Sequence, residues 1–160
     1  MTSFLRYGLI AGSISVACSS LLYKIDPRMY VGSGTRLFIE LVIFLVLMYV
    51  SARQSARNAT EFKQVLRASF GVFLMGNLIA HGMEYYMYNH YDTKLVEIQK
   101  DMWIKLYPQN DISDYKKMVE NIQQGSYHTV RATLLNYAKG ALGGFGLSGV
   151  VTYLVNKIDA

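Results

Sequence analysis

Four long apolar stretches divide this chain, and polar segments separate them. The stretches cover residues 7–23, about 35–52, about 65–88 and about 131–155. A helix needs roughly 20 predominantly apolar residues to cross the hydrocarbon core of a bilayer, and each stretch approaches or exceeds that length. Asp26 and Pro27 end the first stretch, because proline disfavours helix at the residue before it, and a short polar loop to Gly34 follows. The pattern predicts an all-α integral membrane protein with four transmembrane helices.

The polar segment between the second and third stretches predicts the orientation of the chain. Residues 53–67 contain Arg53, Arg57, Lys63 and Arg67 against one acid, Glu61. Lys and Arg are enriched in cytoplasmic loops of membrane proteins. We therefore expect this loop and both termini on the cytoplasmic side of a bacterial inner membrane, in a multi-pass arrangement.

The segment 92–131 is polar and balanced, with six basic and six acidic residues, and is expected outside as a periplasmic helical insert. Its apolar residues Leu95, Ile98, Met102 and Leu106 recur at the spacing of one helix face. An amphipathic helix is predicted to end near Pro108, and a second short helix is predicted over 113–124. The insert belongs to a single four-helix transmembrane domain that covers 1–160.

Composition supports the membrane class and excludes two others. The chain is 52% hydrophobic and 17% charged, which leaves too little polar surface for a soluble globule of 160 residues. Its net charge of +5 comes from basic residues scattered between apolar stretches, so nucleic-acid binding is not expected. Cys18 is the one cysteine, which excludes an intrachain disulfide and a cysteine metal cluster.

Glycines are concentrated in the fourth stretch. The segment GFGLSG at 144–149 matches a dinucleotide-binding fingerprint, but that fingerprint works between a strand and a helix, whereas this one lies inside an apolar helix. Small residues instead let transmembrane helices approach closely. Two candidate helix-packing ridges follow from the spacing, Gly140, Gly144 and Ser148 on one face, and Gly143 and Gly146 on another.

Four ionisable residues within the apolar stretches, Glu40, His81, Glu84 and Lys139, form the candidate polar intramembrane cluster. A charge at the centre of a bilayer costs about 2.5–3.5 kcal/mol on insertion scales, so such groups usually face the bundle interior and pair. We expect an ion pair between Glu40 and Lys139. His81 and Glu84 have a spacing compatible with metal binding, but no further ligand is evident and no metal site is predicted. Structural pairing, an ion or proton site, and catalysis remain open for this cluster.

The order of these elements resembles the Bacteroidota membrane family called domain of unknown function 4199. The features that carry the resemblance are the opening FLRYGLIAG at 4–12, a basic turn after the second helix, EFKQVLRASFG at 61–71, and a polar helical insert before a glycine-rich last helix. The resemblance covers nearly the whole chain. It implies an inner-membrane location in a Bacteroidota-like bacterium, and it brings no established activity, cofactor or site residue.

The function expected from the sequence is that of a non-enzymatic inner-membrane accessory or scaffold subunit that binds another membrane protein. Its expected partners are membrane lipid and either another inner-membrane protein or further copies of itself. The alternative is a small ion, proton or lipid-handling protein that uses the polar cluster. No catalytic residue and no cofactor is predicted.

Overall fold

The computed structural model describes residues 3–32, 34–57, 61–106 and 128–158, together with Lys117 and Glu120 as isolated positions. Its helices are α1 (Ser3–Ile25), α2 (Pro27–Gly32), α3 (Gly34–Ala56), α4 (Phe62–Tyr86), α5 (Leu95–Leu106) and α6 (Val130–Ile158), and a π-helical segment, Met87–Tyr91, extends α4. Four of these helices, α1, α3, α4 with its extension, and α6, are long and apolar enough to span a membrane. The predicted fold class is confirmed, and the protein is a multi-pass membrane protein.

The predicted loop between the first two spans is wrong, because residues 27–32 form the short helix α2. Pro27 occupies the first helical position, where its missing N–H removes no intrahelical bond. The Asp26 side chain accepts a hydrogen bond from the Arg28 N–H at 2.8 Å, and the Asp26 carbonyl accepts one from the Met29 N–H at 2.9 Å. The Asp-Pro pair therefore ends α1 and also starts α2.

Helix α4 is the central element, since it packs against α1, α3 and α6. Glycines bring these helices close together. A Cβ atom placed on Gly8 would lie 2.6 Å from the Met75 Cβ, and one on Gly12 would lie 2.7 Å from the Ile79 Cβ. Such backbone approach is how helices associate in lipid, where no hydrophobic drive between them exists.

One apolar core lies in the half of the bundle that contains the start of α1 and the end of α6, which we call the terminal side. Its fully buried residues include Met48, Ala52, Val65 and Val155. The Ser51 hydroxyl donates to the Ala68 carbonyl at 3.2 Å across the interface between α3 and α4. The start of α1, the end of α3 and the end of α6 consequently lie on the same side.

A second core holds the opposite end, the insert side, where α2, the π-helical segment and α5 meet. Tyr30, Met87, Tyr88 and Leu95 are buried there, and Ile98 packs against them partly buried. The predicted amphipathic helix is confirmed as α5, with Leu95 and Ile98 on its packed face. The second predicted helix, over 113–124, lies outside the described residues except at Lys117 and Glu120.

Candidate functional site

Arg36 and Glu40 form an ion pair within the bundle, near the insert side. The Arg36 Nε lies 3.0 Å from the Glu40 Oε1, and the two side chains are 12% and 16% exposed. Both residues belong to the first turns of α3, and their four-residue spacing places them on one helix face. The Ser19 hydroxyl of α1 donates to the same Glu40 oxygen at 3.1 Å.

The Arg36 guanidinium also connects α3 to α2 and α4. Its Nη1 donates to the Tyr30 carbonyl at 3.1 Å and lies 3.7 Å from the Glu84 Oε1. Its Cζ lies 4.6 Å from the centroid of the Tyr30 ring, within the range of a cation–π interaction. The His81 Nδ1 lies 3.1 Å from the other Glu84 oxygen, one helical turn away. We call Ser19, Tyr30, Arg36, Glu40, His81 and Glu84 the Arg36 cluster.

Three of the four residues predicted for the polar cluster, Glu40, His81 and Glu84, meet around Arg36. Lys139 does not join them. It is exposed on α6, and among the described residues it forms no ion pair within 4.0 Å. The expected ion pair with Glu40 is therefore wrong, because Arg36 stands one turn away on the same helix and holds the carboxylate. Sequence reasoning overlooked Arg36 at the start of a span, although its spacing to Glu40 is the signal that identifies it.

The cluster borders a small interior chamber between α1, α2, α3 and α4. Ser15, Ser19, Tyr30, Arg36 and Glu40 supply its polar lining. Within the described part of the protein, the buried Ser15 and Tyr30 hydroxyls have no hydrogen-bond partner. Burial raises the pKa of Tyr30 to about 12, so its phenol keeps its proton at neutral pH. The chamber has no room for a water-sized guest, so these two hydroxyls are enclosed by the protein itself.

A cleft of about 250 Å³ opens on the bundle surface between α3, α4 and α6, and we call it the lateral cleft. Exposed apolar side chains such as Leu37 and Leu41 stand at its edge. Its two polar groups are Glu40, which also lines the interior chamber, and Asn77. The Asn77 Nδ2 is buried without a hydrogen-bond partner among the described residues. The remaining lining residues are Phe44, Phe73, Gly140, Gly143, Gly144 and Leu147.

The two predicted glycine ridges of α6 have different surroundings. A Cβ on Gly144 would collide with the Phe73 ring, one on Gly140 would lie 3.0 Å from the Asn77 Nδ2, and Ser148 is fully buried. This ridge packs against α4. A Cβ on Gly143 or Gly146 would meet no atom within 4 Å in the described structure. The second ridge is therefore open, and at Gly143 it forms part of the lateral cleft.

His128, just before α6, attaches the insert side to the bundle. Its ring stacks on Tyr88 with centroids 3.6 Å apart, and its Nε2 lies 2.8 Å from the Gln99 Oε1 of α5. Asn89 donates to the His128 carbonyl at 2.9 Å. Burial lowers the pKa of His128, although the Glu84 carboxylate acts in the opposite direction. The stack therefore holds a neutral imidazole at neutral pH.

The described residues contain no group of three His, Cys, Asp or Glu side chains close enough to hold a metal ion. The pair of His81 and Glu84 is explained by its place in the Arg36 cluster, where it lies beside the guanidinium.

No curated protein and no solved structure matches the chain significantly. A family model does match it over residues 6–157, which is nearly its full length, in agreement with the elements that suggested the resemblance. The chain belongs to the family described as protein of unknown function (DUF4199).

Proposed function

We propose that this protein is a non-enzymatic accessory subunit of the bacterial inner membrane that binds a transmembrane helix of another membrane protein in the lateral cleft. The observation that carries the proposal is the cleft itself. It combines apolar walls, an open stretch of glycine backbone at Gly143 and two polar groups, Glu40 and Asn77.

The physics of helix association in lipid supports this use of the cleft. Helices in a bilayer associate through close packing, small residues and interhelical hydrogen bonds. At Gly143 a partner helix can approach the α6 backbone, and its side chains can reach Glu40 and Asn77. A partner that donates a hydrogen bond to Glu40 would use a carboxylate oxygen at the membrane-facing surface of an otherwise buried cluster.

The net charge of the Arg36 cluster indicates which side chains the partner helix should contain. The Arg36 cluster contains two carboxylates and one guanidinium, so it has an excess negative charge whenever His81 is neutral. An unbalanced charge inside a bilayer is costly. A Lys, Arg or amide side chain on the incoming helix would balance or share that charge, and we therefore expect the partner helix to contain such a donor.

The test uses two glycines that both have room for a side chain. Gly143→Leu fills the cleft, whereas Gly149→Leu adds the same side chain to the same helix outside the cleft, and a Cβ at either position meets no described atom within 4 Å. Affinity-tagged variants are purified in mild detergent, and co-purifying proteins are compared by mass spectrometry.

We expect Gly143→Leu to lose a membrane protein that the parent chain and Gly149→Leu both retain. Recovery of the same partners with all three chains would contradict the proposal. Loss of self-association alone would identify the bound helix as a second copy of this chain.

A second candidate function, ion or proton handling, is favoured by one observation. Glu40 lines both the interior chamber and the lateral cleft, so a single carboxylate connects a polar interior to the membrane-facing surface. Proton flux into vesicles that contain the reconstituted protein tests it. A flux that Glu40→Gln abolishes would support this function, and the absence of flux above empty vesicles would remove it.

A further inference from the structure

We infer that the terminal side contains a binding site for an anionic glycerophospholipid, in a pocket distinct from the lateral cleft. The pocket has a volume of about 290 Å³ and lies where the first turns of α1 meet the last turns of α3. Its lining residues are Tyr7, Tyr49, Val50, Arg53, Gln54 and Arg57, and we call it the arginine pocket.

Two arginines supply the charge that recognises a phosphate. Arg53 and Arg57 are four residues apart at the end of α3, which places them on one face one turn apart. Each guanidinium presents a planar set of donors that matches phosphate oxygens, and both side chains are exposed at the pocket. Among the described residues, those that line the pocket include no carboxylate.

The remaining lining residues match a ligand with an apolar part. Val50 is exposed and lies on the membrane-spanning part of α3, one turn before the arginines. Tyr7 and Tyr49 are partly buried, and tyrosine is favoured at membrane interfaces because it has an apolar ring and a polar tip. A phosphate between the arginines would therefore continue into an acyl chain that lies against Val50 and the tyrosine rings.

The position of the pocket agrees with the depth of a lipid headgroup. Helix α3 ends at Ala56, so Arg53 lies in its last turn and Arg57 follows it. Basic pockets between transmembrane helices bind anionic headgroups, and each basic residue near the surface strengthens that attraction. Free inorganic phosphate would use only the arginines, whereas a phospholipid also covers the apolar part of the pocket.

The experiment uses the full chain, delipidated in mild detergent. Phosphatidylglycerol, phosphatidylcholine and inorganic phosphate are titrated separately, and binding is followed by native mass spectrometry and by the melting temperature. We expect phosphatidylglycerol to bind and to raise the melting temperature more than phosphatidylcholine does. We expect Arg53→Gln with Arg57→Gln to weaken phosphatidylglycerol binding by roughly tenfold or more.

A double variant of Lys63→Gln with Arg67→Gln is the matched control. It removes the same charge from exposed residues near the same end of the bundle, but neither residue lines the pocket. This control should bind phosphatidylglycerol like the parent chain. If the arginine double variant does not fold, the single variants replace it, and each should weaken binding by about threefold or more.

Three results would overturn the inference. They are equal loss in the arginine and control variants, no preference for phosphatidylglycerol over phosphatidylcholine, and inorganic phosphate that binds as tightly as the lipid. Unchanged binding in both single arginine variants would overturn it as well.

Discussion

Near the insert side, the Arg36 side chain links three helices, α2, α3 and α4. Its guanidinium contacts Glu40 on its own helix, Glu84 on α4, and both the ring and the carbonyl of Tyr30 on α2. Removal of one member of a buried ion pair is costly because the remaining charge is left without compensation. Arg36 is therefore expected to contribute more to stability than either carboxylate alone.

Arg36→Met should lower the free energy of unfolding by about 3–5 kcal/mol, because two carboxylates would remain in the bundle without their cation. Denaturant-induced unfolding in mixed micelles measures the change. Glu40→Gln should cost less, since Arg36 keeps Glu84 as its partner. A loss for Arg36→Met no larger than that of Val46→Ala, a truncation on the exposed face of α3, would contradict this account.

Gly144 and Gly143 are adjacent, yet a methyl group should affect them differently. Gly144→Ala would place a Cβ against the Phe73 ring and should cost about 1–3 kcal/mol, the usual range for overpacking. Gly143→Ala should leave the free energy of unfolding within about 0.5 kcal/mol of the parent value. Surface substitutions that neither overpack a core nor remove a contact usually have effects of that size. Thermal unfolding in the same detergent compares the pair, and equal melting temperatures would show that α6 does not pack as described.

At the level of helices, α5 depends on a small number of contacts to remain on the bundle. Leu95 is fully buried against Tyr30 and Met87, and Gln99 reaches His128, which stacks on Tyr88. Tyr23 donates to Asp92, just before α5, at 2.8 Å. These contacts attach the first part of α5 to both α1 and the extension of α4.

The docking of α5 should weaken in acid. Burial places the pKa of His128 below its ordinary value near 6.5, so the undocked state binds a proton more readily than the docked state. Docking is therefore fully favourable above pH 6.5 and weakens as the pH falls through that value toward the lowered pKa. Hydrogen exchange of α5 amides, corrected for the intrinsic rate, should show less protection at pH 5.5 than at pH 7.5.

His128→Phe keeps an aromatic ring on Tyr88 but does not titrate, so it should abolish this pH dependence. The same loss of protection in His128→Phe would assign the effect to another group, and equal protection at both pH values in the parent chain would contradict the prediction.

For the whole molecule, the distribution of charge predicts an orientation in the membrane. The end of α3 lies on the terminal side, and the basic segment 53–67 that begins there is the one that the positive-inside rule assigns to the cytoplasm. Asn58→Cys in a Cys18→Ser background should therefore react with a membrane-impermeant maleimide only after the cells are opened. Labelling of intact spheroplasts would reverse the proposed orientation.

The number and approximate bounds of the spans could be predicted because a bilayer places the same requirements on each helix separately. Every backbone group in hydrocarbon must be satisfied within its own helix, and the required length is set by membrane thickness. Uncharged runs such as 7–23 therefore predict spans without knowledge of their neighbours, and α5 followed from its own apolar spacing.

The candidate site depended on how the helices are rotated about their axes, which the amino-acid sequence of a membrane protein signals weakly. Lipid-facing and core-facing positions are both apolar, so spacing alone did not indicate that the ridge of Gly144 packs against α4 while that of Gly143 stays open, or that Lys139 is exposed. The contact between Arg36 and Glu84 joins residues 48 positions apart and exists because α3 packs against α4. The lateral cleft and the arginine pocket arise for the same reason, since each forms where helices meet and belongs to no single helix.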